Sequence, residues 1–222
     1  MQYLNILNEK LDKFHLLDHP FYVAWNKGEL NQTILRDYAE QYYQHVKAFP
    51  RYISATHSIC EDIEKRRILL ENLQDEENKD GDHPKLWKNF AKALGANEVE
   101  IENTKLDWFT KDMIENFFAQ ARKSYAEGLA SLYTYERQIP EIAETKIQGL
   151  KKFYGVNSKE GLEFFEAHKS ADVIHRAECE KLLDSLSTDE QKKAENASLL
   201  TARYLWNFLS GMVSKHKLQV AA

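Results

Sequence analysis

The sequence contains little glycine, proline or cysteine. Glycine (8) and proline (4) together make up about 5% of the 222 residues, less than half of the roughly 12% in average proteins. Strand-rich sandwiches and barrels, and glycine-rich phosphate loops, need these residues at their turns. The two cysteines, Cys60 and Cys179, cannot form a disulfide framework and lack CxxC spacing. The composition therefore favours long helices and a reducing compartment.

The sequence also lacks a basic block and a long apolar run. Lys and Arg total 30 against 35 Asp and Glu, which gives a formal charge of −5, so we do not expect a nucleic-acid partner. The first residues, MQYLNILNEKLDKF, are amphipathic and carry Glu9 and Asp12. They resemble neither a signal peptide nor a membrane span. We therefore expect a cytoplasmic protein that has no membrane segment.

What the sequence does contain is a series of amphipathic segments. No internal repeat, low-complexity tract or flexible linker divides them, so we expect a single domain over residues 1–222. Strand signals are nearly absent. Helix start and stop signals predict an all-α bundle of seven to nine helices. The predicted segments lie near 3–17, 19–26, 32–59 with a kink at Pro50, 61–79, 84–94, 107–137, 140–154, 159–185 and 188–216.

One face of predicted helix 159–185 carries polar residues toward the core. Steps of four and three residues align His168, Asp172, His175, Cys179, Leu182 and Leu186. The second half of this stripe is apolar, so the first half should also point inward, where unpaired polar groups are costly. A metal ion bound by imidazole and carboxylate would satisfy them. A solvated stripe or a hydrogen-bonded His/Asp cluster is the ordinary alternative.

A second stripe ends in a carboxylate. Tyr125, Leu129, Leu132 and Glu136 share one helical face, just before Pro140 disturbs the helix. Glu136 is therefore expected to point inward. A single inward glutamate is weak evidence for a metal, and a salt bridge to a neighbouring side chain is the simpler interpretation.

The segment 72–84 adds further candidates where a helix runs into a turn. Periodicity places either Glu76 or Glu77 on the buried face and does not choose between them. Pro84 disfavours helical backbone at His83, so His83 should lie at the entry to the next helix. The simpler interpretation of this segment is an ordinary acidic helix end.

The three regions together supply three carboxylates and three imidazoles. His168 and His175 would be about 10.5 Å apart along a regular helix, which is long for one ion and reasonable for two ions about 3.5 to 4 Å apart. Mixed imidazole and carboxylate ligands suit iron or manganese, and the lack of a thiolate set argues against structural zinc. We therefore expect a dinuclear site.

Tyrosines and one lysine are the remaining candidates. Most of the 11 tyrosines should be core rings whose hydroxyl groups find partners. Tyr135 is next to Glu136 on the same predicted helix, so the two side chains cannot fully share one direction. We expect Tyr135 to border the cavity into which Glu136 points. Lys146 lies ten residues beyond Glu136, and an inward lysine would be unusual. The residues alone favour a surface lysine whose stem packs against the protein.

Five collinear segments resemble the family of the Chlamydia protein associating with death domains (CADD) and its bacterial relatives. They are residues 19–30, 42–52, 72–78, 133–140 and 168–175. The resemblance runs over most of residues 15–180 and fades in the last helix. It implies the heme-oxygenase-like helical fold, shared with TenA and PqqC-like proteins, and a homodimer.

The resemblance also implies a function. Such a protein would be a dinuclear iron or iron/manganese oxygenase that makes para-aminobenzoate for folate, with dioxygen and reductant as co-substrates. It would consume its own residues, taking the ring from Tyr22 and the amino group from Lys146. The implied metal ligands are Glu76, His83, Glu136, His168, Asp172 and His175, which selects Glu76 over Glu77.

One departure and two alternatives accompany this resemblance. Phe164 stands where the chlamydial member is expected to have a tyrosine, so a radical relay at that position is in doubt, and Tyr43 and Tyr135 are alternative neighbours. One alternative function is a TenA-like thiamine hydrolase or a PqqC-like oxidase acting on an external small molecule. The hydrolase would need a nucleophilic cysteine, for which Cys179 is the candidate. The other alternative is a protein that binds host death domains.

Overall fold

The computed structural model is helical throughout the residues it describes, which are 2–79 and 81–218 without the side chains of residues 170–174. Over these residues the chain forms eleven α-helices and no strand, so the all-α prediction is confirmed and the count of seven to nine is too low. The helices are α1 (Gln2–Leu11), α2 (Pro20–Lys27), α3 (Gln32–Ser58), α4 (Ile63–Glu76), α5 (His83–Ala93), α6 (Glu98–Asn103), α7 (Trp108–Lys123), α8 (Tyr125–Glu136), α9 (Ile139–Phe153), α10 (Lys159–Asp184) and α11 (Thr188–Lys215).

The predicted helix 107–137 is two helices that meet at Ser124. The Ser124 backbone is extended (φ −158°, ψ 163°), and its side chain accepts a hydrogen bond from the Glu127 amide at 3.3 Å. Serine is a strong N-cap, because its oxygen satisfies one of the free amides of the first helical turn. No proline or glycine marks this break, and apolar residues continue at helical spacing on both sides of it. The sequence therefore predicted a single helix.

Other differences concern short elements and helix ends. The predicted helix 3–17 ends at Leu11, and two 3₁₀ turns follow it. Helix α6 was not predicted, although Asn97 and Glu100 form a capping box at its start. The predicted segment 32–59 is confirmed as one helix that continues through Pro50, and the kink at Pro50 stays a prediction.

Helix α8 lies in the interior of the bundle. Every residue from Ala126 to Glu136 is buried, because α8 packs against α3, α7, α10 and α11. Helix α3, the second-longest, packs against α4 to α8. The carboxyl end of α8 therefore brings Glu136 among the neighbouring helices rather than to the surface.

Two apolar clusters surround α8. The larger cluster is rich in aromatic rings and includes Trp25, Tyr38 and Trp87. The smaller cluster joins α1, α8, α10 and α11 through side chains such as Leu7 and Leu183. None of the helices in the described part of the chain combines the length and the apolar composition that a bilayer span requires.

Candidate metal centre and the aromatic cavity beside it

The turn between α4 and α5 brings Glu76 and His83 together. Glu76 is the last residue of α4, and His83 is the first residue of α5. The Asp82 side chain caps α5 by accepting from the Lys85 amide at 2.8 Å. His83 Nδ1 lies 2.8 Å from Glu76 Oε2, and both side chains are buried. Glu77 is exposed, which agrees with the choice of Glu76.

His168 on α10 completes a cluster with Glu76 and His83. One ligand atom from each of the three residues lies within 4.8 Å of the others. His168 Nδ1 donates to the Phe164 carbonyl oxygen at 2.7 Å, so the ring orientation is held by its own helix. Burial, and then the neighbouring His83, lowers the pKa of His168 well below its usual value. A neutral imidazole of this kind is the form that binds metals.

The cluster fits a first-row metal ion by its chemistry. One carboxylate and two imidazoles converge in a buried position, and this donor set suits iron and manganese. Buried groups of this kind need partners, and a cation supplies one. The structure thus brings three of the six predicted ligands to one point, namely Glu76, His83 and His168.

Glu136 is held nearby, at the end of α8. Its side chain is 1% exposed. Asn72 Nδ2 on α4 donates to Oε1 at 2.7 Å, and the Cys179 thiol on α10 donates to Oε2 at 3.6 Å. Burial, and then the negative charge of Glu136, raises the pKa of Cys179 well above its usual value. The thiol is therefore a hydrogen-bond donor rather than a nucleophile.

His175 is buried on the same helix as His168 and contacts a residue that was not predicted. Its Nε2 lies 3.0 Å from Asp75 Oδ2, on α4. The predicted inward direction of His168 and His175 is therefore confirmed. The side chain of Asp172, the remaining predicted ligand, lies outside the described residues, so its role stays a prediction.

The last turn of α4 connects these residues. Asn72 contacts Glu136, Asp75 contacts His175, and Glu76 contacts His83. Sequence reasoning missed Asn72 and Asp75. The available signal was spacing, because Asn72 precedes Glu76 by four residues and so lies on the same face of the helix.

Lys146 on α9 points inward, so the interpretation as a surface lysine is wrong. Its side chain is 3% exposed, and Nζ donates to Tyr38 Oη at 2.6 Å. Burial lowers the pKa of Lys146 to about 7. The Tyr38 hydroxyl also lies 3.5 Å from the Tyr22 hydroxyl. Five rings surround the ammonium group at 4.9–5.8 Å, those of Tyr22, Tyr38, Tyr42, Trp87 and Phe165.

A cavity extends from Lys146 to His168. Its walls are Leu16, Tyr22, Tyr42, Trp87, Tyr135, Ile139, Ile142, Ala143, Lys146, Phe164, Phe165 and His168. The Phe164 ring packs on His168, with ring centroids 4.0 Å apart. Tyr22 and Lys146 therefore share one aromatic enclosure with a member of the Glu76–His83–His168 cluster.

The tyrosines around the cavity differ in part from those singled out in the sequence. Tyr135 lines this cavity, whereas Glu136, whose cavity it was expected to border, is not among the lining residues that the structure describes. Tyr43 does not, because its hydroxyl donates to Glu102 at 2.7 Å. Tyr38 and Tyr42 lie near Lys146 instead. The tyrosines of α3 lie on more than one face of the helix. Their spacing does not tell which of them point toward the cavity, and only the packing of the neighbouring helices decides this.

The sequence of this chain is similar to known proteins. Residues 7–215 match the TENA/THI-4/PQQC family. The chain is 41% identical over 214 residues to a 4-aminobenzoate synthase of Chlamydia muridarum, covering 96% of this chain and 91% of that protein.

Solved structures support the same fold. A TenA homologue from Pseudomonas syringae pv. tomato has a TM-score of 0.83 at 16% identity, covering 96% of this chain and 93% of that one. A domain with a heme oxygenase-like fold from Shewanella denitrificans has a TM-score of 0.81 at 14% identity, covering 100% and 95%. The chain is therefore an enzyme with a heme-oxygenase-like fold, and it belongs to the TENA/THI-4/PQQC family.

Proposed function

We propose that this chain makes para-aminobenzoate (4-aminobenzoate) as a metal-dependent oxygenase. Tyr22 is the source of the ring and Lys146 the source of the amino group. The observation that carries the proposal is the shared cavity, whose walls include Tyr22, Lys146 and His168. The 4-aminobenzoate synthase of Chlamydia muridarum, 41% identical, supports the choice of product.

The proposed ligands are Glu76, His83, Glu136, His168, Asp172 and His175. The support for this set is the buried cluster of Glu76, His83 and His168, with Glu136 and His175 held beside the same turn of α4. Two iron ions, or one iron and one manganese, would supply the electrons that reduce dioxygen, with an external reductant restoring them.

The protein's own residues prepare the two sacrificed side chains. With a pKa of about 7, Lys146 is about half neutral at pH 7, and a neutral amine has the lone pair that a nitrogen donor needs. The hydrogen bond from Nζ to Tyr38 orients that amine. Burial raises the pKa of Tyr22 above its usual value, so its phenol keeps its proton. Both side chains are buried, so bulk solvent has little access to either group.

The alternative functions find less support. A thiamine-hydrolase-like enzyme would need a nucleophilic cysteine, but the described cavity walls contain none, and Cys179 donates to Glu136. An oxidase acting on an external small molecule would turn over only when that molecule is added, and the experiment described next tests this. We found no described feature that favours the death-domain interpretation. A homodimer is part of the proposal through family resemblance, and light scattering tests it.

The deciding experiment labels the two sacrificed side chains. Protein is produced with ring-labelled ¹³C tyrosine and side-chain ¹⁵N lysine, loaded with iron and manganese, and given reductant and dioxygen without organic substrate. We expect para-aminobenzoate that carries both labels, at no more than one molecule per chain. Peptide mass spectrometry should locate the loss at Tyr22 and a modification at Lys146.

The matched controls are conservative changes inside and outside the cavity. Tyr22→Phe and Lys146→Met should abolish the product, whereas Tyr43→Phe, which alters a tyrosine outside the cavity, should leave it unchanged. Unlabelled product, or turnover only with an added small molecule, would replace this proposal with an enzyme that acts on an external substrate.

A further inference from the structure

The Glu136 carboxylate is bracketed by two neutral donors from two different helices. Asn72 Nδ2 on α4 reaches Oε1 at 2.7 Å, and Cys179 Sγ on α10 reaches Oε2 at 3.6 Å. All three side chains are buried. Each oxygen of the carboxylate therefore has its own donor, and the plane of the carboxylate is defined by groups 64 and 43 residues away in the chain.

The chemical nature of the donors matters as much as their position. An amide and a thiol satisfy carboxylate oxygens without neutralising the negative charge, as a lysine or arginine would. Burying a carboxylate is costly unless it is hydrogen-bonded. The two donors thus fix the orientation of the carboxylate and add no positive charge that would compete with a metal cation.

The two ends of the Asn72 amide differ in their hydrogen bonds. Its Oδ1 is buried and has no hydrogen-bond partner among the described residues. An unsatisfied buried carbonyl oxygen costs stability, and the side chain offsets that cost through the hydrogen bond that Nδ2 donates to Glu136. The amide therefore acts through its nitrogen, which points at Glu136.

We propose that Asn72 and Cys179 are positioning residues that orient Glu136 for metal binding. This inference rests on the proposed function, because it takes Glu136 as a ligand. Neither residue is itself a ligand. Groups that hydrogen-bond to a ligand typically contribute about 10- to 100-fold to metal affinity. Asn72 also ties α4 to α8 on the turn that carries Glu76, so its loss should affect both regions of the site.

The first measurement needs no metal. In a Cys60→Ala background Cys179 is the only thiol, and its S–H stretching band is visible by infrared spectroscopy. We expect a band typical of a hydrogen-bonded thiol that shifts toward the free position in Glu136→Gln. The same shift in Asn72→Leu would show that the amide holds the carboxylate in place. A band that is insensitive to Glu136→Gln would show that the Cys179 thiol does not donate to Glu136 and would overturn the inference.

The second measurement is the equilibrium affinity for manganese, read from the electron paramagnetic resonance signal of free Mn²⁺. Relative to the wild-type protein, Asn72→Leu should bind about 10- to 100-fold more weakly. Cys179→Ala should also bind more weakly, and Cys179→Ser, which keeps a donor, should recover affinity. Cys60→Ala should match the wild-type protein.

The outcomes separate this inference from the proposed function. If the wild-type protein binds manganese and the variants bind it equally well, the inference is overturned, even if their melting temperatures fall. If the wild-type protein binds neither manganese nor iron, the metal requirement of the proposed function fails, and the inference fails with it. Should Asn72→Leu not fold, the comparison of Cys179→Ala with Cys179→Ser decides.

Discussion

At the scale of single residues, the most unusual group is the Lys146 ammonium. It is buried among aromatic rings, has one hydrogen bond to Tyr38, and has a pKa lowered to about 7 by burial. The unfolded chain would bind that proton up to a pKa near 10.4. Folding therefore carries a penalty for this charge at neutral pH, and the same environment supplies a neutral amine to the cavity.

This shift predicts a pH dependence of stability. Between pH 7 and 9 the unfolded state binds more protons at this site than the folded state, so the free energy of unfolding rises with pH. Relative to a Lys146→Met variant, the metal-free wild-type protein should gain about 2 kcal/mol over this range. Urea unfolding of both proteins at each pH gives the difference. A constant difference would mean that the lysine keeps its usual pKa.

At the scale of elements, a close contact at Gly128 determines where the buried helix α8 lies against α3. A Cβ atom at Gly128 would overlap Thr56 Oγ1 and lie 2.9 Å from Thr56 Cγ2, on α3. Real Cβ atoms do not approach that closely, so the glycine lets α3 and α8 pack directly. The carboxyl end of the same helix presents Tyr135 to the cavity and Glu136 to Asn72.

Gly128→Ala should therefore destabilise the protein, although alanine is the better helix former by about 1 kcal/mol. We expect a loss of about 1 to 3 kcal/mol from overpacking. The control is the double variant with Thr56→Ala, which removes both close atoms and should recover much of the loss. Denaturant unfolding of the four proteins measures the coupling energy. Additive effects would show that the contact does not limit the approach of the helices.

At the scale of the whole molecule, α8 links the two apolar clusters. Leu129 and Ala130 belong to the smaller cluster, whereas Leu132 and Tyr135 belong to the larger one. A single helix that contributes to both clusters should make them unfold together. The stability of the cavity and of the candidate metal centre would then depend on packing in the smaller cluster.

A substitution in the smaller cluster tests this cooperativity. Leu183→Ala should cost about 2 to 5 kcal/mol through loss of buried area and the remaining cavity. Trp25 and Trp87 lie in the larger cluster, so their fluorescence reports on the part that was not altered. We expect fluorescence and far-ultraviolet circular dichroism to shift together to the same lower midpoint. Separate transitions would show two independently unfolding regions.

The sequence by itself determined the helical architecture and the direction of several polar side chains. Low glycine and proline content and 3.6-residue periodicity are local properties, so they predicted an all-α chain. The same periodicity predicted that His168, His175 and Glu136 point inward, and all three are buried. The break at Ser124 was missed, because a serine cap looks like any other serine within a continuous apolar pattern.

Only the tertiary structure decided which side chains meet. Asn72 and Glu136 are 64 residues apart, Asp75 and His175 are 100 apart, and Lys146 and Tyr38 are 108 apart. Periodicity tells on which face of its own helix a residue lies, but not which helix packs against that face. The burial of Lys146 and the bracket around Glu136 arise from that packing, and so does the cavity that joins Tyr22 to His168.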